Sequence, residues 1–312
     1  MNCYQVRTDL ALEARECAKE SDEEIRGVRL EEDYDEEIEV KTTRVIIETK
    51  NGAKAVGKPM GTYITLEAPR LADPDEDYHR EISEKLAEQI KCILPQTDSA
   101  LSVLVVGLGN REVTADALGP ESVDNLLITR HMVKEFGIAA YHRTTNLISA
   151  IVPGVMAQTG MESLEIIKGI VQESKPDAIL VIDALAARSV KRLNRTIQVT
   201  NTGIHPGSGV GNHRSAITME NLLVPVIAIG IPMVVDAATI VGDALQDMAR
   251  KEGIQIPVES MNNRIMTELN NMYVTGKDID ATVKRLSFTI SEALNMALKH
   301  PDQEETECCG KA

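Results

Sequence analysis

Two aspartates in this sequence follow apolar runs, and a pair of carboxyl groups at such positions could do acid–base chemistry on water. Asp116 lies in "VLVVGLGNREVTADALGP", residues 103–120, shortly after a run that is typical of a buried strand. Asp183 directly follows the apolar residues of "AILVIDALAARS". Two close carboxyl groups cannot both ionise readily, so one proton is shared between them. The ionised group can then deprotonate a water molecule, while the protonated group donates to a carbonyl or a leaving group.

An aspartate after a strand often only caps the next helix, and for Asp116 or Asp183 taken alone we favour this interpretation. The pair differs, because the functional crevice of an open α/β sheet lies outside the carboxyl ends of its strands. If the sheet is parallel, both carboxyl groups are expected to face one crevice. For Asp116 and Asp183 taken together, a catalytic role is therefore as well supported as a helix-capping role.

The turn after the first apolar run raises a nucleotide-binding alternative. Gly107-Leu108-Gly109 begins like a dinucleotide-binding turn, but the third glycine of that fingerprint is replaced by Glu112. A carboxylate at that position would repel a pyrophosphate, and no Gly-Lys-Ser/Thr triplet of a Walker loop follows. A non-catalytic nucleotide-binding module is therefore the weaker interpretation of this turn.

A glycine-rich stretch, "NTGIHPGSGVGNHR" at residues 201–214, is the third candidate element of a site. Glycines let the backbone approach a ligand closely, and free N–H groups there could hold a peptide or an oxyanion. We therefore predict that His205, Gly207, Ser208 and Gly209 help to bind a substrate. The plainer alternative is an ordinary turn.

The elements that must position these residues alternate between strand and helix. The apolar runs "LSVLVV", "LISAIV", "AILVID", "RTIQVT" and "PVIAIG" predict strands, and helical spacing covers 76–93, 121–136, "GMESLEIIKGIVQE", a segment from about 236, and Ile279 to Ala297. This alternation predicts an α/β fold with a mostly parallel, doubly wound sheet flanked by helices. Residues 40–70 predict a β-hairpin-like region that adds a small β-containing part at the N-terminus. Residues 250–278 form a variable segment.

Composition limits the classes of partner. The net charge of −15 disfavours direct binding to nucleic acid or an anionic membrane. Five cysteines without a CxxC pair favour a reducing compartment, and the first residues have no apolar core of a signal peptide. The longest apolar stretch, "LLVPVIAIGIPMVVDAATIV", is interrupted by Pro, Gly and Asp and is typical of buried strands. A cytosolic protein is expected.

Several long blocks resemble the germination protease family of spore-forming bacteria. The blocks are "VVGLGN", "DALGP", "SAIVPGVMAQTG", "IDALAARS", "GIHPGSGVGN" and "PVIAIGIPMVVDA". The resemblance implies an endopeptidase that degrades small acid-soluble spore proteins in the cytoplasm of the forespore and the spore core. It further implies an atypical aspartic peptidase, a core similar to that of hydrogenase maturation proteases, and a homotetramer.

The resemblance also assigns roles to the acids. The family's two catalytic acids correspond to Asp116 and Asp183, and no cofactor or metal is implied. Related maturation proteases recognise nickel through an acidic pair and a histidine. A metal site made of Asp116, Asp183 and His205 is therefore an alternative, with a donor set that is plausible but not selective.

The same resemblance implies that the chain is made as a zymogen that removes its own N-terminal peptide. The resemblance implies that substrates are cut after an acidic residue that is followed by a bulky apolar residue and then Ala. This order occurs at Asp9-Leu10-Ala11, so the resemblance implies a cut between Asp9 and Leu10. Residues 1–9 would then be a propeptide and residues 10–312 a single peptidase domain. The plainer interpretation of this stretch is the start of a helix, and both can hold together.

Overall fold

Strands and helices alternate through the centre of the chain, as the sequence predicts. The computed structural model describes residues 8–18, 25–97, 99–137, 146–207, 214–252, 269 and 272–299. The strands are β1 (Val28–Asp35), β2 (Val40–Ile47), β3 (Gly61–Glu67), β4 (Ser102–Gly107), β5 (Leu147–Ile151), β6 (Ala178–Ala187), β7 (Thr196–Thr200), β8 (Val226–Asp236) and β9 (Tyr273–Val274). The helices are α1 (Ala11–Ala18), α2 (Lys50–Val56), α3 (Glu76–Ile93), α4 (Leu118–Asp124), α5 (Arg130–Phe136), α6 (Met156–Thr159), α7 (Ser163–Ser174), α8 (Met219–Leu222), α9 (Ala237–Glu252) and α10 (Ile279–Ala297).

Within the described residues these strands form one sheet with the order β1-β2-β3-β7-β8-β6-β4-β5, and β9 pairs with β8. The strands β5, β4, β6 and β8 are parallel neighbours. The N-terminal strands β1 to β3 continue the same sheet in antiparallel pairing through β7. The predicted α/β class, with a central sheet flanked by helices, is confirmed. The expectation of a mostly parallel sheet is wrong: among the described strands three pairs are parallel and five are antiparallel, because β1, β2, β3 and β7 extend the sheet by antiparallel pairing and β9 adds another such pair.

Helices cover both faces of the sheet. On one face the largest apolar cluster joins α3, α4 and α10 to the buried side chains of β4, β6, β7 and β8. On the opposite face Leu164, Ile167 and Val171 of α7 pack against Ile179 and Val181 of β6. Strands that are buried on both faces consist of nearly continuous aliphatic runs, which explains why their apolar patterns were easy to recognise. In the described part of the chain, no helix has the length and hydropathy needed to cross a bilayer.

The connection between β2 and β3 differs from the predicted hairpin-like turn. These strands are antiparallel partners, but helix α2 joins them and includes the Asn51-Gly52 pair. The side chain of Thr49 caps α2 by accepting from the Gly52 amide at 3.1 Å. A Cβ at Gly52 would lie 2.6 Å from the Gly27 carbonyl oxygen, so this glycine permits close packing rather than a turn.

The helix predicted over residues 121–136 is interrupted. Helix α4 ends at Asp124 and α5 begins at Arg130. Between the two helices, Leu127 donates its amide to Asn295 at 2.9 Å, and Thr129 donates its amide to Ile148 at 3.1 Å. These tertiary hydrogen bonds replace those that a continuous helix would make.

Candidate active site

Asp183 occupies a different position in the sheet from the one that its sequence predicts. Strand β6 does not end at Asp183 but continues to Ala187, because it keeps pairing with β8. On its other side the neighbouring strand β4 ends at Gly107, opposite Ile182. Asp183 therefore lies where a neighbouring strand stops, and the sheet opens beside it.

A row of residues crosses three strands at the level of Asp183. Gly230 of β8 is the register partner of Asp183 on one side and of Gln198 on the other. The residues that precede or follow this row on its three strands, Ile182, Ile229 and Val199, belong to the cluster on the α3 and α10 face. Because side chains alternate along a strand, Asp183 and Gln198 point to the opposite face. Both are buried, with 7% and 6% of their surface exposed.

Gly230, the glycine in this row, has no side chain and so leaves space for its neighbours. A Cβ at Gly230 would lie 2.6 Å from Cγ of Leu185 and 2.8 Å from the carbonyl oxygen of Asp183. A small cavity of ≈ 50 Å³ lies above this part of the sheet, and its lining includes Gly230, Gln198 and Lys58. This volume is sufficient for water beside Gly230 and Gln198.

Asp116 reaches the same region from the loop that follows β4. It ends the 3-10 turn Thr114–Asp116, and its carbonyl oxygen accepts from the Asn110 amide at 3.0 Å. Gly109 has a φ of +120°, and a Cβ there would lie 1.9 Å from the Asp116 carbonyl oxygen. The Gly-Leu-Gly turn therefore brings the acid over the end of β4. The backbone of Asp116 fills the space above Gly109 that a bound pyrophosphate would need, which counts against the nucleotide-binding alternative.

Gly109→Ala is expected to destabilise the fold by about 2–3 kcal/mol, because alanine is strained at positive φ and its methyl group meets the Asp116 carbonyl. Gly169 is the matched control, since it lies inside helix α7 and a Cβ added there would have no atom within 4 Å. Gly169→Ala should stabilise the protein by about 0.5–1 kcal/mol. Urea unfolding of the two variants measures both changes. A neutral Gly109→Ala would contradict this account of the turn.

The two carboxyl groups interact with each other. Burial raises the pKa of Asp183 well above its ordinary value, and the charges of Asp116 and Asp9 raise it further. Burial also raises the pKa of Asp116. Arg214 opposes both shifts, and hydrogen bonds from Ala184 and Asn110 also favour the ionised forms. The balance favours a protonated carboxyl group at Asp183, as expected for two acids that share a proton.

The N-terminal segment (residues 8–11) lies beside this pair. The Asp9 amide donates to the Ala186 carbonyl at 3.0 Å, and the Ala186 amide donates to Oδ2 of Asp9 at 2.9 Å. These two hydrogen bonds between Asp9 and Ala186 fix the position of the N-terminal segment along β6. Leu10 is fully buried and packs in a small cluster with Leu185, Ala187 and Val235.

The carbonyl oxygen of Asp9 accepts two side-chain hydrogen bonds. Nζ of Lys58 lies 3.0 Å from this oxygen and 3.3 Å from the carbonyl oxygen of Thr8. Nε2 of Gln198 donates to the Asp9 oxygen at 3.3 Å, and Oε1 of Gln198 accepts from the Ala11 amide at 2.7 Å. The Asp9–Leu10 peptide bond is therefore bracketed by polar contacts on both sides.

Helix α1 is tied to the same end of β6 by a buried carboxylate. Glu13 accepts from the amides of Arg188 at 2.7 Å and Ser189 at 3.0 Å, and it also accepts from the hydroxyl of Thr8. Arg192 lies 3.5 Å from Glu13 and continues the anchor with further ion pairs to α1 and β3. These contacts fix the chain directly after the N-terminal segment.

The predicted substrate-binding loop is described only in part. His205 is exposed and lines the small cavity together with Asp9, and Gly207 is partly buried. Ser208 and Gly209 lie outside the described residues. Among the residues that are described, no three His, Cys, Asp or Glu side chains form a group able to hold a metal ion. The alternative set of Asp116, Asp183 and His205 is thus not assembled as a metal site.

Sequence reasoning missed Lys58, Gln198 and Glu13. Gln198 had a signal, because it is the polar residue at the centre of the buried strand "TIQVT". Lys58 had none, since it lies in a connection, "VGKPMG", whose path depends on the fold. Glu13 is one of many acidic residues in the N-terminal part of the chain, so its burial could not be recognised from its type.

The fold and site define an α/β protein in which a carboxyl group of the sheet and one of the adjoining loop interact beside a bound segment of the same chain. The germination protease family profile matches residues 6–267. The germination protease of Caldanaerobacter subterraneus is 45% identical over 311 residues, covering 94% of each chain. That of Priestia megaterium is 40% identical over 315 residues, covering 97% of this chain and 83% of the relative. The chain belongs to the germination protease family.

Family membership makes this chain a peptidase with a protein substrate. Among solved structures, the [NiFe] hydrogenase maturation protease HycI from Thermococcus kodakarensis aligns at 15% identity with a TM-score of 0.28. That alignment covers 46% of this chain and 80% of HycI. The score is low, and the α/β class rests on the sheet topology of this chain itself.

Proposed function

We propose that this chain is an endopeptidase that uses Asp116 and Asp183 to activate water. One observation carries the proposal: Asp9 of the chain's own N-terminal segment is bound to β6 close to Asp183, whose pKa is raised by burial and then by the charges of Asp116 and Asp9. In this mechanism the ionised carboxylate takes a proton from water, and the protonated partner supplies a proton to the departing amine. These steps require no cofactor.

The proposal includes self-processing between Asp9 and Leu10. The segment around this bond is held to β6 by a main-chain hydrogen bond from the Asp9 amide to the Ala186 carbonyl oxygen, the kind of bond that a bound substrate strand makes. The side chain of Asp9 accepts from a backbone amide, and the side chain of Leu10 fills an apolar pocket. These two contacts match the acidic-then-apolar order that family substrates carry. Residues 1–9 would be released as the propeptide of a zymogen.

The substrate, compartment and assembly in the proposal follow from the family resemblance. Small acid-soluble spore proteins are the proposed external substrates, and the cytoplasm of the forespore and the spore core is the proposed location. The proposed assembly is a homotetramer. An acidic protein is not expected to compete for the DNA that such substrates coat.

Incubating the purified chain at mildly acidic pH tests the proposal. We expect its intact mass to fall by the mass of residues 1–9, which leaves a new N-terminus at Leu10. We also expect the shortened chain to cut a purified small acid-soluble spore protein. Leu10→Lys should block the self-cut, because an ammonium group cannot enter the pocket that Leu10 fills. A wild-type chain that keeps its full mass would refute self-processing.

A further inference from the structure

The strongest unassigned feature of the molecule is the pair of donors on the Asp9 carbonyl oxygen. Lys58 and Gln198 come from elements far apart in sequence, the connection after α2 and strand β7, yet both reach this one oxygen. The same oxygen would become negatively charged if water added to the Asp9 carbonyl carbon. Donors that face a developing oxyanion stabilise the transition state more than the ground state.

We propose that Lys58, assisted by Gln198, is the catalytic residue that stabilises the oxyanion of the scissile carbonyl group. This inference rests on the proposed self-cleavage at Asp9–Leu10. It adds a positively charged hydrogen-bond donor to a site otherwise made of acids. The group that Lys58 and Gln198 would bind is the carbonyl oxygen of an acidic residue at the peptide bond to be cut.

The reaction balances with these groups alone. The water oxygen forms a bond to the carbonyl carbon of Asp9, and the π pair moves to the oxygen that Lys58 and Gln198 bind. The proton from water goes to the ionised carboxylate of the acidic pair. The electron pair on the oxyanion then re-forms the C=O bond as the C–N bond breaks. The C–N pair remains on the nitrogen of Leu10, which takes a proton from the protonated carboxyl group, and the Asp9 carbon becomes that of a carboxylic acid.

The surroundings of Lys58 suit a positioned cation. Gly57 ends α2 in the left-handed conformation, with a φ of 72°, and turns the chain so that Lys58 points to the N-terminal segment. The hydroxyl of Tyr63 donates to the Pro59 carbonyl at 3.0 Å and holds the following residue. Desolvation lowers the pKa of Lys58 below its ordinary value, and the negative charges of Asp9 and Glu13, which favour the cation, offset this only in part.

The geometry of the row favours a shared role with the acids. Gln198 and Asp183 lie on either side of Gly230 in register, so their Cα atoms are separated by two strand spacings, roughly 10 Å. Gln198 therefore binds the Asp9 carbonyl oxygen from a position two strands away from Asp183 and on the same face of the sheet. Lys58 lies closer to the Asp9 carbonyl oxygen, at 3.0 Å, than to that of Thr8, at 3.3 Å, and Gln198 donates to the same Asp9 oxygen.

Single-turnover self-cleavage of the full chain, followed by intact mass, tests the inference. Lys58→Met removes the cation but keeps the length of the side chain, and we expect the rate to fall by about 10²–10³-fold. Lys54→Met is the matched control, because Lys54 is exposed on the preceding helix and should leave the rate unchanged. Gln198→Leu should lower the rate by a smaller factor, and Lys58→Arg should restore most of it.

Chemical rescue separates catalysis from anchoring. With Lys58→Ala, added ethylammonium should raise the cleavage rate, whereas ethanol at the same concentration should not, because only the cation can stabilise an oxyanion. Thermal unfolding of each variant accounts for any loss of folded protein. If Lys58→Ala is inert to ethylammonium and Lys58→Arg is as slow as Lys58→Met, the role of Lys58 is structural and the inference is overturned.

The outcomes also separate this inference from the proposed function. If the wild-type chain cleaves itself, Asp183→Asn does not, and Lys58→Met is as fast as wild type, only the oxyanion role is overturned. If the wild-type chain does not cut at Asp9–Leu10, the proposed self-processing and the oxyanion role fail together. If Lys58→Met is slow and ethylammonium restores cleavage by Lys58→Ala, the proposed self-processing and the oxyanion role are both supported.

Discussion

Asp183→Asn is expected to lower the rate of cleavage, of the chain's own N-terminal segment and of a protein substrate, by about 10³-fold or more. Asparagine cannot exchange a proton with water or with the departing amine. Its side-chain oxygen can still accept from the Ala184 amide, which Asp183 binds at 2.9 Å, so the local backbone should be preserved. Time courses of intact mass measure the self-cleavage rate, and fragment analysis measures cleavage of the substrate.

Asp124→Asn is the control for this experiment. Asp124 is an exposed carboxylate on α4 that pairs with Arg111 at 2.6 Å, and it lies in the same loop-and-helix region as Asp116. Removing its charge should not change the rate, since exposed ion pairs contribute little. Asp116→Asn should resemble Asp183→Asn. Cleavage at the wild-type rate in both Asp116→Asn and Asp183→Asn would refute the assignment of the acidic pair.

The second large effect is a bell-shaped dependence of self-cleavage on pH. The reactive state needs one ionised and one protonated carboxyl group, and the raised pKa of Asp183 extends this state above the ordinary carboxyl range. We expect the rate to fall at higher pH, where both groups are ionised, and at low pH, where both are protonated. Rates measured from about pH 3 to about pH 8 define the two limbs. A rate that rises steadily to neutral pH would contradict the shared proton.

The same pKa shift has a consequence for stability. The ordinary pKa of an aspartate, 3.8, applies to Asp183 in the unfolded chain. At pH values above it, the folded chain keeps a proton on Asp183 that the unfolded chain has lost. Stability contributed by this group is therefore full at low pH and decreases as pH rises through the raised pKa. Asp183→Asn lacks this loss, so its melting temperature relative to wild type should increase between about pH 4 and about pH 7. A constant difference would show that Asp183 titrates normally.

The acidic pair illustrates what could be predicted from local pattern. Asp183 follows an apolar run long enough to be a buried strand, and Asp116 follows another by a short loop, so both were expected near one end of a sheet. The detailed position of Asp183 was not predicted, because the length of β6 depends on its pairing with β8. The place where β4 stops depends on how Gly109 accommodates the Asp116 turn.

Aliphatic strands, amphipathic helices and family motifs are local properties, so the α/β class, the family and the two acids worth testing can all be predicted from the order of residues alone. The antiparallel extension through β3 and β7, the break between α4 and α5, and the convergence of Lys58 and Gln198 on one carbonyl oxygen emerge only when the chain is folded. Each of these features depends on hydrogen bonds between residues far apart in the chain. Such partners have no spacing in the sequence that could reveal them.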